Sequence, residues 1–235
     1  MSGFLSSSIG KKFLMSITGI FLILFLVMHL SINLTLFFGE ETFNQAAHFM
    51  GSNPVIRIIE PLLAVGFVLH IFYAGYITLL NRNKRPIGFS KADRLKTSSW
   101  ASQNMFILGG IIFVFLVLHL LHFFYYMKIT GMPETIPALG DGTCPGEVTY
   151  NGETIQNAYC LVTSLFGIWY YVALYVVGAI LLGLHISHGF WSAFQTLGWS
   201  NDMWRKRLNV VSIILALVFA FGFSVIPLYF LIMAI

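Results

Sequence analysis

The stretch FLMSITGIFLILFLVMHLSINLTLFF, residues 13–38, runs its whole length without a charged side chain. An α-helix rises about 1.5 Å per residue, so about 20 apolar residues in succession cross the hydrocarbon core of a bilayer. The stretch therefore predicts a membrane-spanning helix. It also carries a histidine, His29, deep within the apolar run. Burying a polar ring there costs free energy that some partner must offset.

The rest of the chain has the same character. Of its 235 residues, 57% are apolar, 16% aromatic and only 9% charged, whereas soluble domains carry about a quarter charged residues. We therefore expect an all-α integral membrane protein, a single domain built as a bundle of five transmembrane helices. The predicted spans cover residues 13–38, 55–80, 104–127, 164–190 and 208–233.

The basic residues predict the orientation, because Lys and Arg accumulate on the cytoplasmic side of membrane proteins. Eleven of the thirteen lie on one side of a five-span topology. They are Lys11, Lys12, Arg82, Lys84, Arg85, Lys91, Arg94, Lys96, Arg205, Lys206 and Arg207. The N-terminus is therefore expected in the cytoplasm and the C-terminus outside. The net charge of +4 reflects this topology, and nucleic-acid binding is not expected.

The long loop predicted between spans three and four, residues 128–163, holds the only two cysteines, Cys144 and Cys160. The loop falls on the outer side of the membrane, where a disulfide persists. A disulfide between Cys144 and Cys160 is therefore predicted, with two free thiols as the alternative.

Six of the seven histidines lie within the first four spans, and ionisable groups at such positions usually mark a pathway or a cofactor. The alternative for any one of them is a neutral ring bonded to a neighbouring helix. Counting residues from the span ends sets His29 and His119 at one depth in the outer half. The same count sets His70 and His185 at another depth in the inner half.

Two imidazoles facing each other at each of two levels suit haem iron, which needs two axial ligands. Zinc normally recruits a third or fourth ligand, and these pairs have no cysteine and no convergent carboxylate. Glycines in the spans permit the close approach of a porphyrin or of another helix; they are Gly66, Gly75, Gly109, Gly110, Gly178 and Gly183. Span five has no histidine and is expected to brace the bundle.

Two of the predicted ligands have a second histidine three residues further along the chain, His122 after His119 and His188 after His185. Positions three apart on an α-helix differ by only about 60° around the axis, so both members of a doublet can face the cofactor. In each doublet the deeper histidine is the predicted ligand. The shallower one is expected to bond a haem propionate, line a proton path or cap the helix edge.

The residues around these histidines resemble the single-chain, di-haem cytochrome b subunit of succinate:quinone oxidoreductase, the membrane anchor of succinate dehydrogenase or fumarate reductase. The similarity covers nearly the whole chain. Its motifs are FLVMHLSIN, FNQAAHFMGSNPVIRIIEP, FVLHIFYAGY, FVFLVLHLLHF and GLHISHGFWSAFQTLGW. The resemblance implies that His29 and His119 ligate a distal haem b, and that His70 and His185 ligate a proximal haem b.

The chain departs from that family in two places. Family members usually present one histidine at the third ligand site, whereas this chain offers His119 and His122; depth and the surrounding residues favour His119. The cysteine-bearing outer loop is also longer than the family leads one to expect.

The resemblance implies an anchor that performs no succinate chemistry itself and lies in a bacterial cytoplasmic membrane. A flavoprotein subunit with FAD and an iron–sulfur subunit are expected on the cytoplasmic face. The diffusible redox partner is expected to be a quinone, with menaquinone as the first choice. Succinate oxidation and fumarate reduction use the same apparatus in opposite directions, and the resemblance covers both.

The best candidate for a quinone site is Glu60 at the start of span two, with Arg57 one turn away and His48 in the preceding loop. The alternatives are an Arg57–Glu60 ion pair at helical spacing, or Arg57 holding a haem propionate. Two other functions stay open for the whole chain. One is a cytochrome b anchor of a formate dehydrogenase, hydrogenase or nitrate reductase, and the other is a haem-free transporter whose histidines relay protons.

Overall fold

Five long helices dominate the computed structural model, which describes residues 7–83, 100–132, 145–199 and 201–235. Each is long and apolar enough to cross a membrane, so the prediction of five spans is confirmed. The first, second, fourth and fifth spanning helices are α1 Ser8–Leu34, α3 Pro54–Asn83, α6 Trp169–Thr196 and α7 Asp202–Ala234. The third is α4 Met105–His119 with its continuation Leu120–Thr130, preceded by a one-turn helix, Trp100–Gln103.

A short helix follows the first span. The chain leaves α1 through a 3₁₀ turn, Thr35–Phe38, and forms α2, Glu40–Ser52. Gly39 makes the junction with a φ of 100°, which glycine adopts without steric cost. Asn53 is extended, as the residue before a proline prefers, and Pro54 opens α3, where its missing N–H removes no helical hydrogen bond.

The third spanning helix changes its hydrogen bonding part-way. Met105–His119 is α-helical, and Leu120–Thr130 is a π-helix. A π-helix bonds each residue to the fifth one along, so it turns less per residue than an α-helix. Side chains after His119, including His122, therefore point in directions that α-helical spacing does not predict.

The sequence predicts the fourth span at about residues 164–190, whereas the corresponding helix covers Trp169–Thr196. A separate helix, α5, covers Ala158–Phe166, and the spanning helix α6 begins only at Trp169. The apolar character of α5 comes from burial inside the protein, since Leu161 is 1% exposed and packs against Phe123 and Met127 of the π-helix. Sequence alone does not separate the apolar run of a buried helix from that of a span.

The segment before α5 is a β-hairpin. Strands β1, Glu147–Tyr150, and β2, Glu153–Gln156, pair antiparallel, with Val148 opposite Ile155. The two-residue turn Asn151–Gly152 has positive φ at both positions, as a primed hairpin turn requires. We call α2, this hairpin and α5 together the cap; its parts lie on the same side of the membrane, because two spans separate them along the chain.

Buried amides hold the cap together. Asn44 of α2 is fully buried; its amide donates to Asn157 Oδ1 at 3.0 Å, and its oxygen accepts from the Tyr159 backbone N–H at 2.8 Å. The Asn157 amide donates in turn to Glu40 Oε1 at 2.8 Å. Burial, with Tyr229 and Glu40 nearby, raises the pKa of the Tyr159 hydroxyl. Satisfied buried amides of this kind fix one arrangement, because any partner left unbonded is costly.

Two predictions about loops concern residues outside the described ranges. Cys144 lies outside the described residues, so its disulfide with Cys160 stays a prediction. The basic residues of the loop between spans two and three, from Lys84 to Lys96, also lie outside them.

The chain divides into two compact units, and each draws residues from all five spanning helices. The first unit comprises Met1–Leu26, Pro61–Phe113 and Leu181–Val218, and the second comprises Val27–Glu60, Val114–Ile180 and Phe219–Ile235. His70 and His185 belong to the first unit, whereas His29 and His119 belong to the second. Each unit therefore contains one of the two predicted histidine pairs.

Span five is the best buried of the spanning helices. Its most apolar window is 39% buried by protein, against 6% for the second and third spans. In the second unit Gly222 lies against Leu30, and in the first unit the Ser212 hydroxyl donates to the Ser187 carbonyl at 2.9 Å. These contacts with α1 and α6 agree with a bracing role for α7.

Candidate cofactor site

The second unit brings the rings of His29 and His119 together in an edge-to-face arrangement. His29 comes from α1 and His119 is the last residue of α4, and their ring centroids are 5.7 Å apart with the planes at 84°. Aromatic rings surround them: Phe223 lies 5.7 Å from His29, and Phe123 lies 5.2 Å from His119. Nδ1 of His119 is buried and has no hydrogen-bond partner among the described residues.

The first unit holds His70 of α3 and His185 of α6 in a similar arrangement. Their centroids are 6.4 Å apart, and their planes make an angle of 77°. Nδ1 of His185 is buried without a hydrogen-bond partner in the part of the chain that the structure describes. The structure therefore brings together the same two pairs that the depth count matched, each from two different spans.

The ring of His70 has a defined polar contact. The Thr18 hydroxyl lies 3.3 Å from His70 Nδ1, and it also lies 2.9 Å from the Leu14 carbonyl. A hydroxyl has one proton, and the shorter bond to the carbonyl uses it. Nδ1 of His70 is then the donor to Thr18, which leaves Nε2 as the unprotonated nitrogen that can bind a metal.

The separations of the pairs fit one metal ion bound from both sides. Two metal–nitrogen bonds of about 2 Å, added to the distance from each nitrogen to its ring centre, put two such centroids about 6 Å apart. Within residues 7–83, 100–132, 145–199 and 201–235, no group of three or more His, Cys, Asp or Glu could hold a metal ion. A pair offers two ligands, which suits haem iron because the porphyrin supplies the others.

Two glycines lie beside the rings of His70 and His185 in the first unit. A Cβ on Gly19 of α1 would lie 3.3 Å from Cε1 of His70, and one on Gly109 of α4 would lie 3.6 Å from Cε1 of His185. Small residues here leave the ring edges uncrowded. Of the glycines singled out in the sequence, Gly109 is thus next to a predicted ligand, whereas Gly75 and Gly110 have no heavy atom within 4 Å of an added Cβ.

Other glycines serve helix packing instead. An added Cβ on Gly178 of α6 would lie 2.7 Å from the ring of Phe115, and one on Gly66 would lie 3.1 Å from the ring of Phe21. Real Cβ atoms do not tolerate the first distance, so Gly178 is required for the approach of Phe115.

The two histidine doublets behave differently. His119 faces His29, but Nδ1 of His122 lies 3.0 Å from the hydroxyl of Tyr175 on α6. That both members can face the cofactor follows from regular α-helical spacing, and the π-helix that begins at Leu120 removes that basis for His122. In the α-helical doublet of α6, His188 contacts the ring of Trp191 at 5.4 Å.

The three residues of the predicted quinone site have different partners. Glu60 accepts a hydrogen bond from Lys128 Nζ at 3.0 Å, and Arg57 donates from Nε to the Gly51 carbonyl at 3.1 Å. His48 lies 3.3 Å from a carboxylate oxygen of Glu153 in the hairpin. The ion pair of Glu60 is therefore with Lys128 rather than with Arg57, and a quinone site at these residues stays a prediction.

Sequence reasoning missed Thr18, Gly19 and Tyr175, which all touch a predicted ligand. Each contact joins residues more than 50 positions apart in sequence, such as Thr18 and His70, so spacing along one helix gives no sign of it. A weak signal exists for Thr18, since it is a hydroxyl residue within an apolar span and must bond something there.

No protein-family model matches the chain, and no curated protein or solved structure is significantly similar to it.

Proposed function

We propose that this chain is the membrane-anchor cytochrome b subunit of a succinate:quinone oxidoreductase, passing electrons between an iron–sulfur subunit and membrane quinone. One observation carries the proposal: four spans contribute four histidines that meet in two facing pairs, His29 with His119 and His70 with His185. In this proposal the chain performs no succinate chemistry itself.

Two haems b, one for each pair, would supply one-electron chemistry at iron when bound. The chain would provide histidine ring nitrogens in the unprotonated state that binds a metal. Thr18 holds the proton on Nδ1 of His70, so that Nε2 would be the nitrogen free to bind a metal. Around His119, Phe123 and Tyr175 exclude water, and a ring in such surroundings is most stable when neutral and able to act as a ligand.

The proposal includes partners on the cytoplasmic face, where an iron–sulfur subunit docks and carries an FAD-containing flavoprotein. The start of α7 bears cations braced by aromatic rings: Arg205 lies 5.7 Å from the ring centre of Trp191, and Arg207 lies 5.6 Å from that of Trp204. Such residues suit an acidic protein surface, and they suit anionic lipid headgroups as well.

The proposed orientation has the N-terminus inside a bacterial cytoplasmic membrane. Quinone, menaquinone in the first instance, would react near Glu60 on the outer side. Transmembrane electron transfer would then couple to the membrane potential. Labelling by a photoreactive quinone analogue tests this location: peptides around Glu60 should be labelled, and labelling confined to the inner half of the spans would refute it.

The visible spectrum of the purified chain tests the cofactor. Dithionite reduction should produce the sharp bands of b-type cytochromes, with two haems per chain. Replacing His29, His70, His119 or His185 singly by leucine should remove one haem, whereas His122→Leu should leave two. A chain without b-type bands would point instead to the haem-free proton-coupled transporter.

Copurification tests the complex. Gentle solubilisation from the native membrane should yield a flavoprotein and an iron–sulfur protein that reduce a dye with succinate. Recovery of a formate dehydrogenase, hydrogenase or nitrate reductase subunit in their place would assign the chain to that enzyme and would leave the haem assignment intact.

A further inference from the structure

Tyr175 of α6 is a buried phenol at the centre of an aromatic cluster in the second unit. It is 7% exposed, and its ring lies 5.9 Å from that of His119, 5.2 Å from Phe115 and 5.1 Å from Phe166. An aromatic side chain in such a cluster has little freedom to change rotamer. Its hydroxyl, however, is polar and needs a partner at that depth.

The partner is His122. Its Nδ1 lies 3.0 Å from the Tyr175 hydroxyl, and its ring also packs against Tyr171 at 5.0 Å. The π-helix Leu120–Thr130 sets the direction in which His122 points. Tyr175 is thus held at both ends, by aromatic packing around its ring and by a hydrogen bond at its hydroxyl.

His119 has no comparable hydrogen bond of its own. Its Nδ1 is buried and unpartnered among the described residues, so the rings around it set its orientation. His29, Phe115, Phe123 and Tyr175 supply those rings. The position of Tyr175 depends in turn on a further side chain, His122.

We infer that Tyr175 and His122 form a positioning pair that fixes the plane of the His119 ring. The pair does for His119, by packing, what the Thr18 hydrogen bond does for His70. In its consequence for haem the inference rests on the proposed function. There it assigns His122 a role other than metal ligation: the ligand plane at the distal haem depends on the hydrogen bond between His122 and Tyr175.

The first test needs no haem. Histidine ¹⁵N resonances of the full chain are measured in lipid nanodiscs before haem is added, with each signal assigned by single substitution. Tyr175→Phe deletes the hydroxyl and keeps the ring, so the signals of His122 and His119 should shift, and those of His70 and His185 should not. An unmoved His119 signal would overturn the inference whether or not the chain binds haem.

The second test uses the haem-loaded chain and asks whether only the His29–His119 haem is affected. The electron paramagnetic resonance signal of a low-spin haem depends on the angle between its two axial rings. Tyr175→Phe and His122→Leu should each shift the signal and the midpoint potential of the His29–His119 haem alone, with two haems retained. His122→Gln, which can still bond the phenol, should restore values close to those of the unaltered chain.

Three outcomes would count against the positioning pair. Unchanged signals in both Tyr175→Phe and His122→Leu would show that the hydrogen bond does not reach His119. Loss of a haem in His122→Leu would make His122 a ligand. Equal shifts of both haems would indicate a general disturbance of the bundle. Tyr171→Phe is the matched control, because it removes a hydroxyl from a ring that touches His122 and not His119.

Discussion

The two histidine pairs have similar geometry and different support. In the first unit, His70 is held by a hydrogen bond to Thr18, and two glycines, Gly19 and Gly109, lie beside the rings. In the second unit, aromatic rings lie around His29 and His119, and Tyr175, whose ring packs against His119, is hydrogen-bonded to His122. The comparison teaches that similar arrangements of two histidine rings can be supported by a hydrogen bond at His70 and by aromatic packing at His119. Different mutations should therefore disrupt the two pairs.

The largest expected effect comes from removing a ligand. His185→Leu should reduce the haem content from two per chain to one and leave the His29–His119 signal in place, because each unit contains its own pair. Haem and protein are quantified together by the pyridine haemochromogen assay. The loss of both haems in this variant would mean that the two pairs are not independent.

Packing should matter most in the second unit. Gly178→Ala places a Cβ 2.7 Å from the Phe115 ring, and overpacking of this kind costs about 1–3 kcal/mol of folding free energy. Thermal unfolding in detergent should show a lower midpoint. Gly75→Ala is the control, since an added Cβ meets no heavy atom within 4 Å, and an equally large loss there would assign the effect to helix flexibility rather than to the ring.

Hydrogen bonding should matter most in the first unit. Thr18→Val preserves the shape of the side chain and removes the acceptor for His70, at an expected cost of about 1 kcal/mol. The affinity of the His70–His185 pair for haem should fall, with no change at the other pair. Thr78→Val removes a hydroxyl that bonds only its own helix, to the Ala74 carbonyl, and should leave both affinities unchanged.

The smallest structural effect is expected at the surface of the second unit. Lys128 and Glu60 are each 35% exposed in their side chains, and an ion pair of that kind contributes less than about 1 kcal/mol. Lys128→Gln should therefore barely change the unfolding midpoint. Glu60→Gln should have an equally small effect on the unfolding midpoint. If the carboxyl group supplies protons, this variant should slow quinone turnover. Equal turnover in both variants and the unaltered chain would show that Glu60 is not part of the quinone site.

The sequence predicts the five spans and the partners within each histidine pair because both follow from regular features. Long apolar runs identify the spans, and a constant rise per residue sets the depth of His29 and His119. Prediction from the sequence fails where the structure departs from these regular features. The apolar residues at the end of α5 look like the start of the fourth span, and the π-helix after His119 changes the direction of His122 without any sign in the sequence.

Contacts between distant side chains form the other limit. Lys128 and Arg57 are the only basic residues predicted on the outer side, and Glu60 is close in sequence to Arg57 alone. The structure nevertheless pairs Glu60 with Lys128, 68 positions away. Whether Glu60 pairs with Arg57 or with Lys128 depends on how the helices pack against one another. The residues next to Glu60 in sequence do not reveal that packing.

The buried amides of the cap have a consequence for the order of assembly. Asn44 lies before the second span and Asn157 before the fourth, so their hydrogen bond forms only after the second and third spans have inserted and the hairpin is on the same side of the membrane as α2. Until then Asn44 must be hydrated. In the proposed orientation, with the cap outside, this contact would mark the end of translocation, and proteolysis of the hairpin in nascent chains of increasing length would date its formation.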